Sequence, residues 1–229
     1  MSFIKTIAHI RSEFPSKFGI PRQSGLVKNL RAFIVFEEEY RNSDSLRGLE
    51  QFSYIWLVWG FSEAEQEIWS PTVRPPRLGG NTRMGVFATR SPYRPNKIGL
   101  SSVKIEKIEL HSPVGPVIYV LGADLLDGTP IYDIKPYLPY TDCHPDAVDD
   151  FTDKLKGSLL KVVMDDEWLK LLPDGKGEVL RELLANDPRP AYQQNADRVY
   201  GMEFNGVEVK FSVADDVLTV LEIRGVGKK

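Results

Sequence analysis

The chain has 229 residues, a net charge of -3, 42% hydrophobic residues and 27% charged residues. This composition is typical of a globular protein and excludes disordered and fibrous classes. The longest apolar run, residues 54–61, is too short to cross a bilayer, and the amino terminus has no secretory signal pattern. The single cysteine, Cys143, excludes an internal disulfide, so we expect a cytoplasmic protein with no membrane partner.

The first two thirds of the sequence indicate β structure. Short runs rich in Val, Ile and aromatic residues alternate with Gly, Pro, Asn or Ser. The predicted strands are residues 3–10, 31–36, 54–61, 84–89, 103–110 and 117–123. A short helix is predicted in SLRGLEQF, capped by Ser43 or Asp44. No strand precedes the long amphipathic helix of a doubly wound sheet, so we expect an antiparallel or mixed β-barrel.

The last third has a different character. An acidic, proline-containing linker is predicted at residues 141–157. After it, SLLKVV predicts a strand, DDEWLKLL a helix capped by aspartate, and GEVLRELLAND a second helix. Asn205-Gly206 between alternating runs predicts a hairpin, and residues 217–223 predict a further strand. The predicted fold is mainly β, with an N-terminal barrel at residues 1–140 and a smaller C-terminal α+β domain at residues 158–229.

Positive charge is concentrated in one segment. Residues 70–105 contain seven basic residues and no Asp or Glu, so the remainder of the chain carries -10. Solvated basic faces usually include glutamate and favour lysine, whereas here arginine stands among glycines and prolines. The segment predicts a local site for an anionic partner.

Two other segments carry polar side chains that could do chemistry. In FGIPRQSGLVKNL, Arg22 and Gln23 extend donors from an irregular loop, although a simple surface turn explains the composition equally well. In LGADLLDGTPIYDIKPYLPY, three aspartates lie among apolar residues, although Asp127 alone is explained by a turn. The sequence has no P-loop, no G-x-G-x-x-G, no H-E-x-x-H and no G-x-S-x-G motif, and no metal site is expected.

Several long motifs together resemble one family. PRQSGLVK, RGLEQFSYIW, PTVRPPRLGGNTRMGVFATRSPYRPNKIG, DLLDGTPIYDIKPYLPY and DPRPAY occur in the order found in the TsaA-like, or TrmO, family of tRNA methyltransferases. The resemblance implies a dimeric β-barrel enzyme that uses S-adenosylmethionine, with the cofactor site near the subunit interface. It implies N6-methylation of threonylcarbamoyladenosine at position 37, in the anticodon loop of threonine tRNA.

The resemblance also implies which residues form the site. The expected cofactor-binding residues are Pro21, Arg22, Gln23, Ser62, Glu63, Arg90, Leu100, Asp124, Leu125, Leu126, Asp127 and Gly128. The C-terminal DPRPAY segment implies tRNA contacts from Arg189 and Tyr192. This chain departs from the family at Ser62-Glu63, where many members have His-Gln, and at Lys97, where a proline is usual.

The chemistry is compatible with these residues. Methyl transfer to nitrogen mainly requires alignment of donor and acceptor, and the nitrogen must also lose a proton. The candidate proton acceptors or relays are Asp124, Asp127, Asp133 and Tyr137. The candidate ligands for the threonylcarbamoyl carboxylate and the tRNA phosphates are Arg74, Arg77, Arg83, Arg94 and Lys135.

Two other functions fit the same residues. A non-catalytic RNA-binding barrel would keep the basic segment while Ser62-Glu63 weakens the cofactor site. A small-molecule methyltransferase would keep the cofactor but need no tRNA, and its activity would not depend on salt.

Overall fold

Six antiparallel strands close into a barrel in the computed structural model, which describes residues 4–62, 69–75, 81–148, 159–189 and 195–226. The strands of these ranges are β1 (Ala8–Arg11), β2 (Arg31–Phe36), β3 (Tyr54–Gly60), β4 (Thr72–Val73), β5 (Met84–Gly85), β6 (Ile98–Ser112), β7 (Gly115–Leu121), β8 (Pro130–Pro136), β9 (Lys161–Val163), β10 (Tyr200–Phe204), β11 (Val207–Ala214) and β12 (Val217–Gly225). The α-helices of these ranges are α1 (Pro139–Asp142), α2 (Asp166–Leu169) and α3 (Lys176–Ala185).

The barrel has the strand order β1-β2-β7-β6-β3-β8, with β8 pairing back to β1. Alternation along the strands places one set of side chains in the interior, because successive residues of a strand point to opposite faces. Ile10, Ile34, Leu57, Val103 and Ile118 are all buried there. The expected mainly β fold with an N-terminal barrel is confirmed.

The C-terminal domain is a four-stranded sheet packed on a helix. The order is β10-β11-β12-β9, with β9 parallel to β12. The hairpin between β10 and β11 turns at Asn205 and Gly206, both with positive φ (48° and 78°), as the sequence predicts. Helix α2 is capped by Asp165, whose Oδ1 accepts from the backbone N–H of Glu167 at 3.0 Å. The smaller α+β domain is therefore also confirmed.

One segment of the N-terminal part packs into the C-terminal core. Phe14, Val27 and Leu30 belong to the same buried cluster as the apolar residues of α3 and the C-terminal sheet. A mostly buried ion pair joins Glu13 to Lys176 on α3. Residues 12–30 therefore lie between the barrel and the C-terminal domain.

Two predicted elements have a different local structure. The strand predicted at residues 84–89 is limited to β5, and Val86–Ala88 form a 3-10 turn closed by the Thr89 hydroxyl, which donates to the Val86 carbonyl at 2.9 Å. The predicted helix in SLRGLEQF is two 3-10 turns, Ser43–Leu46 and Leu49–Gln51. Gly48 separates them with φ of 88°, which no helix accommodates.

The other differences concern the lengths of two strands, one strand that was not predicted, and the predicted linker. The strand predicted at residues 3–10 is only the four-residue β1, whereas β6 is longer than predicted and runs over 15 residues. Strand β8 was not predicted, because a register shift separates its inward-facing residues Ile131 and Ile134 by three positions instead of two. The first residues of the predicted linker form the end of α1, and residues 149–157 of that linker lie outside the described ranges.

Candidate active site

One end of the barrel holds a chain of three polar side chains. Trp59, in β3, donates from Nε1 to Ser101 Oγ at 3.0 Å, and Ser101 donates to Asp124 Oδ1 at 2.7 Å. Ser101 is only 2% exposed, because it lies on the inner face of β6. Asp124 follows β7 in the connection to β8. The chain of hydrogen bonds therefore fixes one oxygen of the Asp124 carboxylate at the mouth of the barrel.

The environment of Asp124 changes its acidity. Burial raises the pKa of the Asp124 carboxyl group above its ordinary value, and the hydrogen bond from Ser101, the positive charge of Arg90 and the backbone of Ser24 oppose this shift in part. A carboxylate with a raised pKa is a stronger base. Asp124 is thus suited to accept a proton from a substrate nitrogen.

The loop of residues 21–25 lies against Asp124. Gly25 donates its backbone N–H to the carbonyl of Gly122 at 2.8 Å. Gly122 has φ of 79°, and a Cβ there would lie 3.3 Å from the backbone of Gly25, so the close approach needs glycine. Gln23 accepts a hydrogen bond at Oε1 from Arg90 Nη1. Gln23, Arg90 and Asp124 therefore meet at the same end of the barrel.

Asp127 and Gly128 hold the backbone next to this site. Asp127 accepts at Oδ1 from the backbone N–H of Ser12 at 3.0 Å and lies 3.7 Å from Arg11 Nη1. Gly128 has φ of 77° and donates its N–H to the carbonyl of Ile10. These contacts explain the DLLDG sequence as the turn that ties β1 to the segment before β8.

Leu125, Leu126 and Pro21 contribute backbone and apolar surface. Leu125 is buried, and its carbonyl accepts from the Ser12 hydroxyl at 2.8 Å. The carbonyl of Leu126 accepts from the Thr129 hydroxyl at 2.8 Å. Pro21 is buried at the start of the loop that carries Gln23. These residues shape the mouth of the barrel rather than extend polar groups into it.

Leu100 and Asp133 lie on the outer face of the barrel. Both pair with Val58 of β3, one from each side, and residues paired across neighbouring strands share a face. Leu57 and Ser101 pair on the opposite, inner face. The barrel wall therefore separates Leu100 and Asp133 from the hydrogen-bonded chain that ends at Asp124.

Lys135 and Tyr137 continue along the same outer face. Lys135 pairs with Trp56, and its Nζ lies 2.8 Å from Asp133 Oδ2. The rings of Tyr137 and Trp56 have centroids 5.4 Å apart. Asp133 also lines an open groove of about 680 Å³ beneath the 3-10 turns. Within one chain, Asp133 and Tyr137 thus do not join Asp124.

Arg22 and Arg189 meet at the joint between the two domains. Arg22 donates from Nη2 to the backbone carbonyls of Asp187 at 3.0 Å and Arg189 at 2.7 Å. Arg189 forms a two-pronged ion pair with Asp187, with Nε 2.8 Å from Oδ1 and Nη2 3.0 Å from Oδ2. The side chain of Arg189 is only 13% exposed. Both arginines therefore hold the turn at residues 187–189 against the loop of Gln23.

Three other arginines of the basic segment lie within the described ranges. Arg74 and Arg83 are exposed, and Arg83 Nη1 lies 3.3 Å from Thr72 Oγ1. Arg94 donates from Nη1 to the carbonyl of Thr89 at 2.8 Å. Ser62 is exposed just after β3, whereas Glu63, Arg77 and Tyr192 lie outside the described residues.

Comparison with known proteins identifies the family. A family model described as the tRNA-methyltransferase O N-terminal domain matches residues 9–143, and a model described as the TrmO C-terminal domain matches residues 158–226. The chain belongs to the tRNA-methyltransferase O family. The motif resemblance is thereby confirmed, and so is the prediction of a tRNA methyltransferase at the level of the family.

Relatives in this family match most of the chain. A protein of Escherichia coli strain K12 named tRNA (adenine(37)-N6)-methyltransferase is 41% identical over 218 residues, covering 91% of this chain and 92% of that protein. A Pseudomonas aeruginosa protein named for S-adenosylmethionine-dependent methyl transfer is 37% identical over 230 residues, covering 97% of each chain. The crystal structure of TrmO from Pseudomonas aeruginosa has a TM-score of 0.80 at 32% identity, covering 98% of this chain and 99% of that one.

The barrel mouth fits the cofactor of this family. S-adenosylmethionine carries a sulfonium, an ammonium and a carboxylate, so its site needs both acceptors and donors. Asp124 offers a partly buried carboxylate whose ionised form is stabilised by a nearby cation. Arg90 and Gln23 offer a guanidinium and an amide beside it. These three side chains would hold the polar groups of the cofactor.

Sequence reasoning missed two members of this tRNA-methyltransferase O site. Ser101 and Trp59 link the barrel interior to Asp124, and neither was predicted to take part. The spacing along β6 could have identified Ser101. It lies two residues from both Gly99 and Val103, so it shares their buried face of the strand. A serine on the inner face of a strand needs a polar partner.

The described residues of this family member also bear on metals and membranes. Within those ranges, no group of three or more His, Cys, Asp or Glu side chains is placed to hold a metal ion. No helix in the described ranges has the length and apolar character needed to span a membrane.

Proposed function

We propose that this protein transfers a methyl group from S-adenosylmethionine to N6 of adenosine 37 in tRNA. The name of the Escherichia coli relative supports the reaction, and membership of the tRNA-methyltransferase O family supports the substrate class. The observation that carries the proposal is the position of Asp124 at the mouth of the barrel. Its carboxylate is fixed by Ser101, and its pKa is raised by burial.

We assign the roles at the barrel mouth as follows. S-adenosylmethionine supplies an electrophilic methyl group when it is bound. Arg90 and Gln23 bind and orient its polar groups, since both donors lie beside Asp124. Asp124 receives the proton that leaves N6, because its raised pKa makes the ionised carboxylate a suitable base. Alignment of the reacting atoms requires no further catalytic acid.

We also propose that the natural substrate is threonylcarbamoyladenosine in threonine tRNA. The threonylcarbamoyl group carries a carboxylate, and arginine binds carboxylates with two parallel hydrogen bonds. Arg74 and Arg83 are exposed on a segment with no carboxylate of its own, which supports a role in holding this group or the flanking phosphates. We assign cofactor binding and catalysis to the barrel, residues 1–140, and tRNA recognition to residues 158–229, joined by the linker 141–157.

We propose that the active form is a cytoplasmic homodimer with the cofactor site near the subunit interface. Leu100 is 57% exposed on the outer face of the barrel, next to Val58. A second subunit that covers this face would bury Leu100 and bring Asp133 and Tyr137 close to a barrel mouth. Sedimentation of the full chain should give twice the monomer mass, and Leu100→Asp should return it to the monomer mass.

The activity is tested with labelled S-adenosylmethionine and threonine tRNA that contains or lacks the threonylcarbamoyl group. Label should enter only the modified tRNA. Asp124→Asn should lower the rate about 100-fold or more, which is the usual contribution of a positioned base. Asp44→Asn is the matched control, because Asp44 is an exposed carboxylate that pairs with Arg47 away from the barrel mouth.

The alternatives give different results in the same assay. A non-catalytic RNA-binding barrel would bind tRNA without heat of cofactor binding in calorimetry. A small-molecule methyltransferase would bind the cofactor but leave both tRNAs unlabelled. Label on unmodified tRNA at the same rate would refute the threonylcarbamoyl substrate while leaving the methyltransferase activity intact.

A further inference from the structure

Two exposed aromatic rings lie together, one in the basic segment and one directly before it. Phe87 is 72% exposed and Trp69 is 47% exposed, and their rings are stacked with centroids 6.5 Å apart and planes 25° apart. The guanidinium carbon of Arg94 lies 5.9 Å from the centroid of the Phe87 ring. We call Trp69, Phe87 and Arg94 the aromatic platform.

The backbone under the aromatic platform is held in place. Strands β4 and β5 pair, and Val86 donates its N–H to the carbonyl of Pro71 at 3.0 Å. Val86 is buried, so the next residue, Phe87, is directed to the surface. Arg94 is fixed by its hydrogen bond to the carbonyl of Thr89. The local fold therefore holds these rings at the surface.

The charge around the aromatic platform indicates which partner it fits. Residues 70–105 carry seven cations and no carboxylate, and Arg74 and Arg83 are exposed. A second copy of this chain docking here through the same face would place like charges opposite one another. RNA instead supplies phosphates for the arginines and unpaired bases for the rings. The charge pattern favours RNA.

The aromatic platform is also close to the candidate active site along the chain. Phe87 precedes Arg90 by three residues, and Arg90 binds Gln23 beside Asp124. Unstacked bases of RNA loops are recognised by stacking on aromatic side chains and arginine planes. A loop that places one base at Asp124 would bring a neighbouring base toward Phe87.

We propose that the aromatic platform stacks an unpaired base of the tRNA anticodon loop beside the base that is methylated. The proposal rests on the proposed function, since it takes the anticodon loop as the substrate. Phe87 provides the most exposed ring, Trp69 stacks against it, and Arg94 adds positive charge. The platform is thus a positioning surface for the loop.

A second aromatic cluster on the same barrel serves as the comparison. Phe33 is 39% exposed, its ring lies 5.9 Å from that of Tyr119, and Lys107 lies 4.1 Å above the Tyr119 ring. Here Glu109 accepts from the Tyr119 hydroxyl at 3.2 Å and lies 3.8 Å from Lys107. This cluster has aromatic surface without a net positive field, so it should not bind RNA.

The test measures the affinity of the full chain for threonine tRNA without cofactor, at one fixed salt concentration. Phe87→Ala should weaken binding roughly 10-fold or more, and Phe87→Leu should weaken it similarly, because leucine has no flat ring. Phe87→Trp should stay near wild type. Phe33→Ala should bind like wild type. Calorimetry should show unchanged S-adenosylmethionine binding in Phe87→Ala.

Salt dependence separates stacking from charge. Phe87→Ala should leave the slope of log affinity against log salt unchanged. Arg83→Ala should reduce the magnitude of this slope by about one, as expected for the loss of one phosphate contact. Wild-type affinity in Phe87→Ala, or equal affinities of Phe87→Leu and wild type, would overturn the proposal. So would a change of sedimentation mass in Phe87→Ala, since that result would assign the surface to a second copy.

The two proposals fail in different ways. If wild type methylates tRNA but Phe87→Ala binds and reacts normally, the aromatic platform is wrong and the proposed function stands. If wild type transfers no methyl group yet Phe87→Ala loses tRNA affinity, the platform stands as an RNA-binding surface and the proposed function is wrong. Phe87 is highly exposed, and thermal unfolding of the variants checks that they fold.

Discussion

Arg22 donates from Nη2 to the backbone carbonyl of Arg189 at 2.7 Å, so an arginine beside the barrel mouth holds the main chain of the C-terminal domain. The next residue, Gln23, binds Arg90, whose charge acts on Asp124. A continuous set of polar contacts therefore runs from the C-terminal turn to the candidate proton acceptor. The C-terminal domain helps to set the position of the loop that carries Gln23.

Replacing Arg22 tests this joint. Arg22→Ala removes two hydrogen bonds from a charged donor, which lowers the free energy of unfolding by about 2 kcal/mol or more. Cofactor affinity should fall as well, because Gln23 loses its fixed position. Urea unfolding and calorimetry with S-adenosylmethionine measure the two effects. Arg11→Ala, at an exposed ion pair with Asp127, is the control and should change stability by less than about 1 kcal/mol.

Loss of Arg90 should mainly weaken cofactor binding, whereas loss of Arg189 should mainly lower stability. We expect Arg90→Ala to weaken cofactor binding more than Arg189→Ala does, because Arg90 lies beside Gln23 and Asp124. Arg189→Ala leaves Asp187 without its two-pronged partner, which should lower the free energy of unfolding by about 2 kcal/mol. Calorimetry of both variants with S-adenosylmethionine decides the point. Equal losses of cofactor affinity would contradict this division of roles.

Asp124 should make stability depend on pH. Its pKa is raised in the folded protein, so its contribution to stability is present below the unfolded pKa and is lost as the pH rises through the folded pKa. Asn cannot titrate. The free energy of unfolding of Asp124→Asn, relative to wild type, should therefore rise as the pH increases above the ordinary aspartate pKa of about 4. A difference that is constant above this pKa would show that the carboxyl group is not perturbed by burial.

Gly99 should tolerate no side chain. A Cβ at Gly99 would lie 2.3 Å from the Trp59 ring, which is fixed by its hydrogen bond to Ser101. Gly99→Ala should therefore lower the free energy of unfolding by about 1–3 kcal/mol through overpacking. Gly85→Ala is the matched control, because no atom lies within 4 Å of a Cβ there. Urea unfolding of the two variants gives the comparison, and equal stabilities would refute the packing argument.

Local patterns predicted much of the fold. Strand β2 has the predicted bounds, and the Asn205-Gly206 turn follows from its dipeptide alone. The pattern failed where local hydrogen bonds override propensity, as at Thr89, which closes a 3-10 turn within a predicted strand. It also failed at β8, where a register shift places Ile131 and Ile134, three residues apart, on the same inner face.

The candidate site was less accessible to sequence reasoning. The family motifs imply that Arg22 and Asp124 both bind the cofactor. Only the fold shows that the Arg22 guanidinium donates to two backbone carbonyls, 165 and 167 residues further along the chain. Such contacts depend on how the two domains pack, which no local pattern contains. The burial that raises the pKa of Asp124 likewise arises from strands distant in the sequence.

The central claim is methyl transfer to N6 of adenosine 37, and mapping of the product tests it most directly. The full chain is incubated with S-adenosylmethionine carrying a deuterated methyl group and with threonine tRNA that contains threonylcarbamoyladenosine. Mass spectrometry of the digested tRNA then locates the label. We predict one deuterated methyl group on N6 of the modified adenosine at position 37. Label at another nucleotide, or none with protein shown to be folded, would contradict the account.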